Sequence, residues 1–280
     1  MDLKEFELDG ELRFVDGNGG LAKGVITTDD CRGSFYLHGG HVAEFQPSGA
    51  EPVLFLSDKA VYQGGKAIRV GIPVCFPWFG AKQSPSHGPV RTEPWTVTGT
   101  ERTDLGVLVT LQCKTDTFQL NYRITFGRQL SLEMCITNFS TSAATCELAL
   151  HTYFTVDDIT KVKITGLENA EFLDQLTGDT IPATAEPIGF SAETDRIYHG
   201  EVKQILLADS SLGRTIALQP SGSRSTVVWN PWVEKSKRMD DFGDDEYPRM
   251  CCIETANIDP NAIRLGPGDS ATTGVTIALV

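Results

Sequence analysis

The sequence predicts an all-β protein, a large antiparallel β-sandwich with few short helices. Short segments in which apolar and polar residues alternate recur along the chain, and Gly, Pro, Asp and Asn separate them. Helical periodicity is almost absent. Many strands without intervening helices pack as antiparallel sheets face to face, which distinguishes this pattern from that of a βα fold.

A hairpin is the clearest single element. Apolar residues alternate with polar ones over 120–126 and, after Gly127, again over 130–136. Weaker alternation predicts further strands at 12–15, 24–27, 34–37, 53–56, 95–97, 107–113, 162–164, 215–218, 226–229, 250–255 and 275–279. Helices are predicted only at 234–239 and 244–247.

The whole chain, residues 1–280, is predicted to form a single globular domain. Its 280 residues are 40% hydrophobic and 22% charged, which is sufficient for a full core. We find no tract typical of a linker, no repeat of fixed period and no apolar run long enough to cross a bilayer.

The charge balance narrows the range of partners. With 24 Lys and Arg against 37 Asp and Glu, the formal net charge is -13, which argues against nucleic acid or an anionic membrane as partner. The acidic amino terminus lacks the features of a secretory signal, and seven cysteines, an odd number, fit a reducing compartment. We therefore expect a cytoplasmic protein, and we expect a monomer.

Three of the five histidines invite a functional interpretation. His38 and His41 have a spacing seen in metal sites, yet they enclose two glycines, so a turn between two strands is the better interpretation. His151 follows the apolar run 148–150 and would leave the apolar face if the strand continued. It is either a proton-transfer group or a buried histidine bonded to a backbone carbonyl, and periodicity does not separate these alternatives.

Glu254 is predicted to end the apolar strand that begins at Met250. A lone glutamate at such a place most often reaches solvent. The alternative is a carboxyl group whose pKa is set by burial and nearby charge for proton transfer.

Two long loops, 64–94 and 230–248, are rich in residues that bind ligands. Arg69 and Arg91 in the first loop either grip a phosphate with forked hydrogen bonds or pair with local acids. Trp78 and Trp232 flank prolines in the loops and are candidates for stacking on a sugar. The other two tryptophans lie in predicted strands and are interpreted as core.

Several motifs, taken in order, resemble the glucose-6-phosphate 1-epimerase (hexose-6-phosphate mutarotase) family, which has a galactose-mutarotase-like fold. The resemblance runs from about residue 36 to the carboxyl end. Single motifs are weak, but the ordered set is specific. The motifs are Ala67-Ile68-Arg69-x-Gly71-Ile72-Pro73, Phe76-Pro77-Trp78-Phe79-Gly80, Ser86-His87-Gly88-x-x-Arg91, His151-Thr152-Tyr153-Phe154, Trp229-Asn230-Pro231 and Ile253-Glu254-x-x-Asn257.

The resemblance implies an enzyme that interconverts the α and β anomers of a hexose 6-phosphate without a metal or organic cofactor. The sugar is expected on the concave face of the sandwich. His151 matches the family's general acid and Glu254 its general base, so a histidinium and a carboxylate are expected across the sugar. Arg69 and Arg91 match substrate-binding positions, and we expect them to bind the phosphate.

Further residues are assigned to substrate binding by the same resemblance. Asp195 matches a sugar-binding acid, and His87 is expected to line the pocket beside the second arginine. Ser86 replaces a longer amide that some family members use, and Trp232 is the stacking candidate. Val70 departs from the family pattern, which usually has glycine there.

Two other functions remain compatible with these residues. An aldose 1-epimerase acting on unphosphorylated sugars needs the same acid and base but not the two arginines. A non-catalytic carbohydrate-binding domain would keep the fold and bind a sugar without accelerating its anomerisation.

Overall fold

The computed structural model describes residues 2–280, in which antiparallel strands dominate and helices are short. The strands are β1 (Leu12–Asp16), β2 (Ala22–Thr27), β3 (Cys31–Tyr36), β4 (His41–Pro47), β5 (Val74–Cys75), β6 (Thr96–Thr103), β7 (Gly106–Lys114), β8 (Phe118–Phe126), β9 (Leu130–Asn138), β10 (Ala144–Cys146), β11 (Leu148–Leu150), β12 (Tyr153–Thr155), β13 (Val162–Thr165), β14 (Phe172–Asp174), β15 (Thr180–Ile181), β16 (Thr194–His199), β17 (Ile205–Asp209), β18 (Arg214–Ser221), β19 (Ser225–Asn230), β20 (Met250–Asn257), β21 (Ile263–Leu265) and β22 (Ser270–Leu279). The α-helix α1 spans Trp232–Ser236. Short 3-10 helices occur at Leu3–Phe6, Asn18–Gly20, Val90–Thr92, Ile159–Lys161, Tyr247–Arg249 and Asp259–Asn261.

Two eight-stranded sheets form the sandwich. Sheet I has the order β13-β17-β18-β22-β9-β8-β7-β6, and sheet II has the order β15-β14-β16-β19-β20-β11-β5 with β12 also paired to β20. The strands β1 to β4 form a four-stranded sheet, and β10 pairs with β21. The predicted all-β sandwich is confirmed.

The main core lies between the two large sheets. One cluster of buried side chains joins Leu120 and Ile136 of sheet I to Leu148, Val228 and Ile253 of sheet II. Because side chains alternate along a strand, their neighbours in sheet II point away from this core. Those outward-pointing residues form the surface on which the candidate site is built.

Two local predictions were wrong, and one predicted helix was displaced by a few residues. Residues 53–56 are not a strand, because Val53 donates to the Phe45 carbonyl while Phe55 donates to the Tyr153 carbonyl, so the segment bridges two neighbours instead of pairing with one. The helix predicted at 234–239 lies at Trp232–Ser236, since the Asn230 side chain accepts the Trp232 N–H and starts the helix there.

The helix predicted at 244–247 is a turn, followed by the 3-10 helix Tyr247–Arg249. The segment is organised instead by Glu246, whose buried carboxylate accepts the backbone N–H groups of Gly243 and Asp58. No helix within residues 2–280 is long and apolar enough to cross a membrane.

Candidate active site

A cavity of about 450 Å³ opens on the side of sheet II that faces away from the main core. His151 and Tyr153 line it from the sheet. The two long loops supply most of the rest of its wall, with Arg69 and Arg91 from loop 64–94 and Asp241 from loop 230–248. The cavity therefore brings together residues that are far apart in sequence.

Strand register places His151 beside Glu254. β11 ends at Leu150 and β12 begins at Tyr153, and both strands pair with β20: Leu150 with Thr255, and Tyr153 with Cys252. The register is the same on both sides of the interruption, so His151 lies opposite Glu254. The distance from His151 Nε2 to Glu254 Oε1 is 3.4 Å. The His151 N–H donates to the Pro73 carbonyl, which ties this position to loop 64–94 as well.

Burial decides between the alternatives left open for these two residues. Glu254 is 1% exposed, and β20 continues beyond it to Asn257, so of the two alternatives the solvent-reaching acid at a strand end is excluded. His151 is 8% exposed, and its Nδ1 has no hydrogen-bond partner within residues 2–280. The carbonyl of another residue therefore does not hold this nitrogen within the described residues. Glu254 Oε2 likewise lacks a partner within the described residues.

The environment favours the neutral forms of both groups. Burial lowers the pKa of His151 well below its ordinary value, and the neighbouring His87, Arg69 and Arg91 lower it further. Burial, assisted by the negative charge of Asp195, raises the pKa of Glu254 well above its ordinary value. In the free protein the pair therefore holds one proton without separated charges, in contrast to the histidinium and carboxylate expected from the sequence.

Aromatic rings fix the orientation of the His151 imidazole. The Tyr153 ring stacks on it with a centroid separation of 4.8 Å and an interplanar angle of 9°. Trp229 and His87 contact it in edge-on geometry at 6.0 Å and 5.7 Å. The pKa of His87 is lowered to about 3 by burial and by the nearby Arg91 and Arg69, so this second imidazole is neutral. His87 contacts the acid–base pair but is not part of the cavity lining.

The two predicted phosphate ligands are held in different ways. Arg69 Nε donates to Asp241 Oδ1 at 2.7 Å, and its Nη1 lies 3.4 Å from the Tyr153 hydroxyl. Arg91 Nη2 donates to the Ser86 carbonyl at 2.7 Å. Pairing with a local acid, the alternative left open by the sequence, thus holds for Arg69 and not for Arg91. Each guanidinium keeps N–H groups that are not used within the described residues.

The other predicted substrate-binding residues lie outside the cavity lining. Asp195 on β16 pairs with Trp229 in the sheet, and its carboxylate accepts from Gln175 and lies 3.7 Å from Lys235 Nζ. Ser86 is exposed, and its hydroxyl donates to the Gly80 carbonyl. The Trp232 ring packs against Tyr247 at 5.3 Å.

The sequence did not single out four residues that line the cavity, namely Lys66, Tyr153, Arg238 and Asp241. Tyr153 could have been found, since it lies in the same motif as His151. The Asp241 contact could not, because it joins positions 172 residues apart. Lys66 and Arg238 carry no local signal beyond their place in the two long loops.

Val70 follows Arg69 with a φ of 95°, in the left-handed region that favours glycine. The glycine usual at this position in the family explains the conformation, and a valine there costs about 1–3 kcal/mol in backbone strain. Its side chain is fully buried beside Tyr153, Trp229 and Phe55, which offsets part of that cost.

The histidine pair His38 and His41 flanks the turn between β3 and β4, as predicted. His38 Nε2 lies 2.6 Å from the Lys66 carbonyl oxygen, and His41 is buried with its Nε2 unpaired within residues 2–280. Within the same residues, no three His, Cys, Asp or Glu side chains are grouped so as to hold a metal ion.

Comparison with known proteins identifies the family. The sequence model of the aldose 1-epimerase family matches residues 25–278. The chain belongs to the aldose 1-epimerase family. As a member of that family it is an isomerase that acts on sugars.

Relatives of this aldose 1-epimerase family member confirm the resemblance inferred from its motifs. A candidate glucose-6-phosphate 1-epimerase of Cenchrus ciliaris is 34% identical over 272 residues, which are 89% of this chain and 82% of the relative. The crystal structure of a candidate mutarotase, YeaD, from Salmonella typhimurium is similar with a TM-score of 0.91 and 29% identity, covering 98% of this chain and 95% of that one. A galactose mutarotase-like protein from Lactobacillus casei shares the fold at a TM-score of 0.71 and 15% identity, over 91% of this chain and 99% of that one.

Proposed function

We propose that the chain interconverts the α and β anomers of a hexose 6-phosphate, with glucose 6-phosphate as the first substrate to test. One observation carries the proposal: His151 lines the same cavity as Arg69 and Arg91, and it contacts the buried carboxyl group of Glu254, which lies outside the cavity lining. The acid–base pair can transfer the protons that ring opening requires, and the two guanidinium groups can bind a phosphate. The Cenchrus ciliaris relative, named as a candidate glucose-6-phosphate 1-epimerase, supports the same substrate.

In the proposed reaction Glu254 accepts the proton of the O1 hydroxyl while His151 donates a proton to the ring oxygen. The bond between C1 and the ring oxygen breaks, and an aldehyde forms at C1. Rotation about the bond between C1 and C2 then presents the other face of the aldehyde. Reversal of both proton transfers closes the ring as the opposite anomer, so no net proton or electron is exchanged.

The neutral resting pair must pass one proton from Glu254 to His151 before it can act in this sense. Substrate binding assists that transfer. A phosphate beside Arg69 and Arg91 offsets the positive charge that lowers the pKa of His151, and a sugar hydroxyl can supply the partner that Glu254 Oε2 lacks. Each proton-transfer group of this kind contributes about 10²- to 10⁴-fold in rate.

The remaining residues are assigned supporting roles. Asp195 raises the pKa of Glu254 through its negative charge and is proposed to contact the sugar. Ser86 acts through its carbonyl, which holds Arg91. His87 supports His151 through an edge-on contact, and Trp232 is the proposed stacking surface.

We further propose that the chain is a single domain and a cytoplasmic monomer. The main core cluster runs from Leu12 to Ile277, which supports one domain. All seven cysteines are free, which supports a reducing compartment. The net charge of -13 makes nucleic acid and anionic membranes poor partners.

Exchange NMR or polarimetry on glucose 6-phosphate and on glucose tests the reaction. We expect the chain to accelerate anomer exchange of glucose 6-phosphate with a kcat/KM well above that for glucose. Arg69→Ala should reduce kcat/KM for the phosphorylated sugar by about 1.5–3 kcal/mol in transition-state free energy and spare glucose. Equal rates on both sugars would assign the chain to unphosphorylated aldoses, and binding without acceleration would make it a carbohydrate-binding domain.

A further inference from the structure

The charge balance of the cavity departs from that of the whole protein. On a chain with a net charge of -13, Lys66, Arg69, Arg91 and Arg238 line the cavity, against the carboxylates of Asp240 and Asp241. Four positive charges face two negative ones. We call the four cations the cationic rim.

Three members of the cationic rim lack a carboxylate partner. Arg69 is paired with Asp241, whereas within residues 2–280 no carboxylate oxygen lies within 4.0 Å of the charged nitrogens of Lys66, Arg91 or Arg238. By contrast, Lys235 and Lys237, on either side in sequence of buried Ser236, are both paired with acids. Three of the four cations that line the cavity are therefore not neutralised by an ion pair.

Lys66 and Arg238, which have no role in the proposed function so far, are both positioned by contacts with backbone carbonyl or ring groups. The Lys66 carbonyl lies 2.6 Å from His38 Nε2, which anchors the residue without using its ammonium group. Arg238 Nε donates to the Glu234 carbonyl at 3.1 Å, which leaves both of its terminal nitrogens unused within the described residues. The two residues belong to different loops and reach the same cavity from loop 64–94 and loop 230–248.

We infer that Lys66 and Arg238 complete the phosphate site and select the phosphorylated sugar in its dianionic form. This inference rests on the proposed function. A phosphate monoester carries a charge of about -1.5 to -2 near neutral pH, which matches the surplus of two positive charges in the cavity. Both side chains are exposed, so their electrostatic attraction to the phosphate passes through water. Added salt therefore weakens this attraction.

The test compares two variants with two matched controls. Lys66→Gln and Arg238→Gln each remove one charge from the cationic rim. Lys59→Gln and Lys237→Gln remove an exposed lysine nearby that does not line the cavity. For each protein, kcat/KM is measured by exchange NMR on glucose 6-phosphate and on glucose, at low and at high salt.

We expect each rim variant to lose about fivefold in kcat/KM for glucose 6-phosphate, which corresponds to about 1 kcal/mol. The loss should appear in KM, shrink at high salt and be absent with glucose. The double variant should lose about 25-fold if the two charges act independently. The control variants should match the wild type on both sugars.

An equal loss on both sugars would give Lys66 and Arg238 a structural role and overturn the inference, as would unchanged selectivity in the double variant. The proposed function fails in a different way, namely if the wild-type chain does not accelerate exchange of glucose 6-phosphate at all. A wild type that prefers the phosphorylated sugar and depends on Arg69, together with indifferent rim variants, would refute only the present inference.

Discussion

The two regions that make up the candidate site differ in almost every physical respect. The floor, consisting of His151, Tyr153, Trp229 and Glu254, lies on or between paired strands of sheet II and is buried. The cationic rim lies in the two long loop regions, where Lys66 and Arg238 are exposed and Arg69 and Arg91 are half-buried. Strand register fixes the distance between the acid and the base, whereas each rim cation is oriented by one or two contacts that a loop can change.

Burial has opposite consequences for charge in the two regions. At the floor it favours the neutral forms of His151 and Glu254, so a single proton is retained between them. At the rim, Lys66 and Arg238 are exposed, so water can solvate their side chains in the absence of carboxylate partners. The two regions therefore have different roles. The floor transfers protons, which requires groups that gain and lose a proton easily, whereas the rim selects the phosphorylated sugar, which requires permanent charge. Variants should therefore divide into those that lower kcat and those that raise KM.

Glu254→Gln should have the largest effect. Loss of the proposed base should lower kcat about 10²- to 10⁴-fold with little change in KM, measured by exchange NMR on glucose 6-phosphate. Stability should not fall. Since the pKa of Glu254 is raised in the folded state, its contribution to stability is present below the ordinary pKa of glutamate and lost as the pH rises, so at neutral pH a neutral glutamine is at least as stable.

Thermal unfolding separates these two effects of Glu254→Gln. A variant that loses activity because it unfolds would show a lower Tm than the wild type. Near-normal turnover in a folded variant would show that another group is the base.

His151→Gln should rank next, and combining it with Glu254→Gln should add little. The two groups lie 3.4 Å apart and act in the same ring-opening step, so removing either one disables that step. We expect each single variant and the double variant to have similar kcat values on glucose 6-phosphate. Losses that multiply in the double variant would mean that the two residues act in separate steps, and the floor would no longer be one unit.

The sequence predicts long regular strands well and short or irregular segments poorly. The hairpin at 120–126 and 130–136 was predicted almost to the residue, as β8 and β9, because long alternation is a strong local signal. The short strands β12, β14 and β15 were missed, since two or three residues cannot show a period. The segment 53–56 was misassigned because Val53, Leu54 and Phe55 are buried in an irregular bridge.

The site was predicted from motifs more than from physics. Local pattern left His151 undecided and favoured a solvent-reaching Glu254, because neither strand register nor burial is a local property. His151 and Glu254 are brought together because β11 and β12 both pair with β20 in the same register. Lys66 and Arg238 were missed, since an exposed cation in a loop looks the same in sequence whether or not it faces a cavity.

Arg91→Gln tests whether the cationic rim also tunes the floor. Arg91 is one of the charges that lower the pKa of His151, after burial and alongside His87 and Arg69. Removing it should raise that pKa, so the pair takes up a second proton at higher pH. The acid limb of the plot of kcat/KM against pH should therefore move to higher pH. Glucose is the substrate for this measurement, since glucose 6-phosphate itself titrates near a pH of about 6.

Arg102→Gln is the matched control, because Arg102 is exposed and paired with Glu11 outside the cavity. Its acid limb should coincide with that of the wild type. We expect the limb of Arg91→Gln to move to higher pH, because one of the positive charges that lower the pKa of His151 is removed. Coinciding limbs for Arg91→Gln and the wild type would mean that rim and floor are electrostatically independent.

Asp241 offers the smallest and most discriminating test, because its carboxylate has two opposing effects at the cationic rim. It orients Arg69 by accepting its Nε–H at 2.7 Å, and it also places a negative charge where the phosphate is proposed to bind. Asp241→Asn keeps an oxygen acceptor and removes the charge, so KM for glucose 6-phosphate should fall about two- to fivefold with kcat unchanged. Asp241→Ala removes both, and the freed Arg69 should raise KM. If the asparagine variant raises KM as the alanine variant does, the charge of Asp241 is needed to hold Arg69 in place, and orientation outweighs repulsion at the rim.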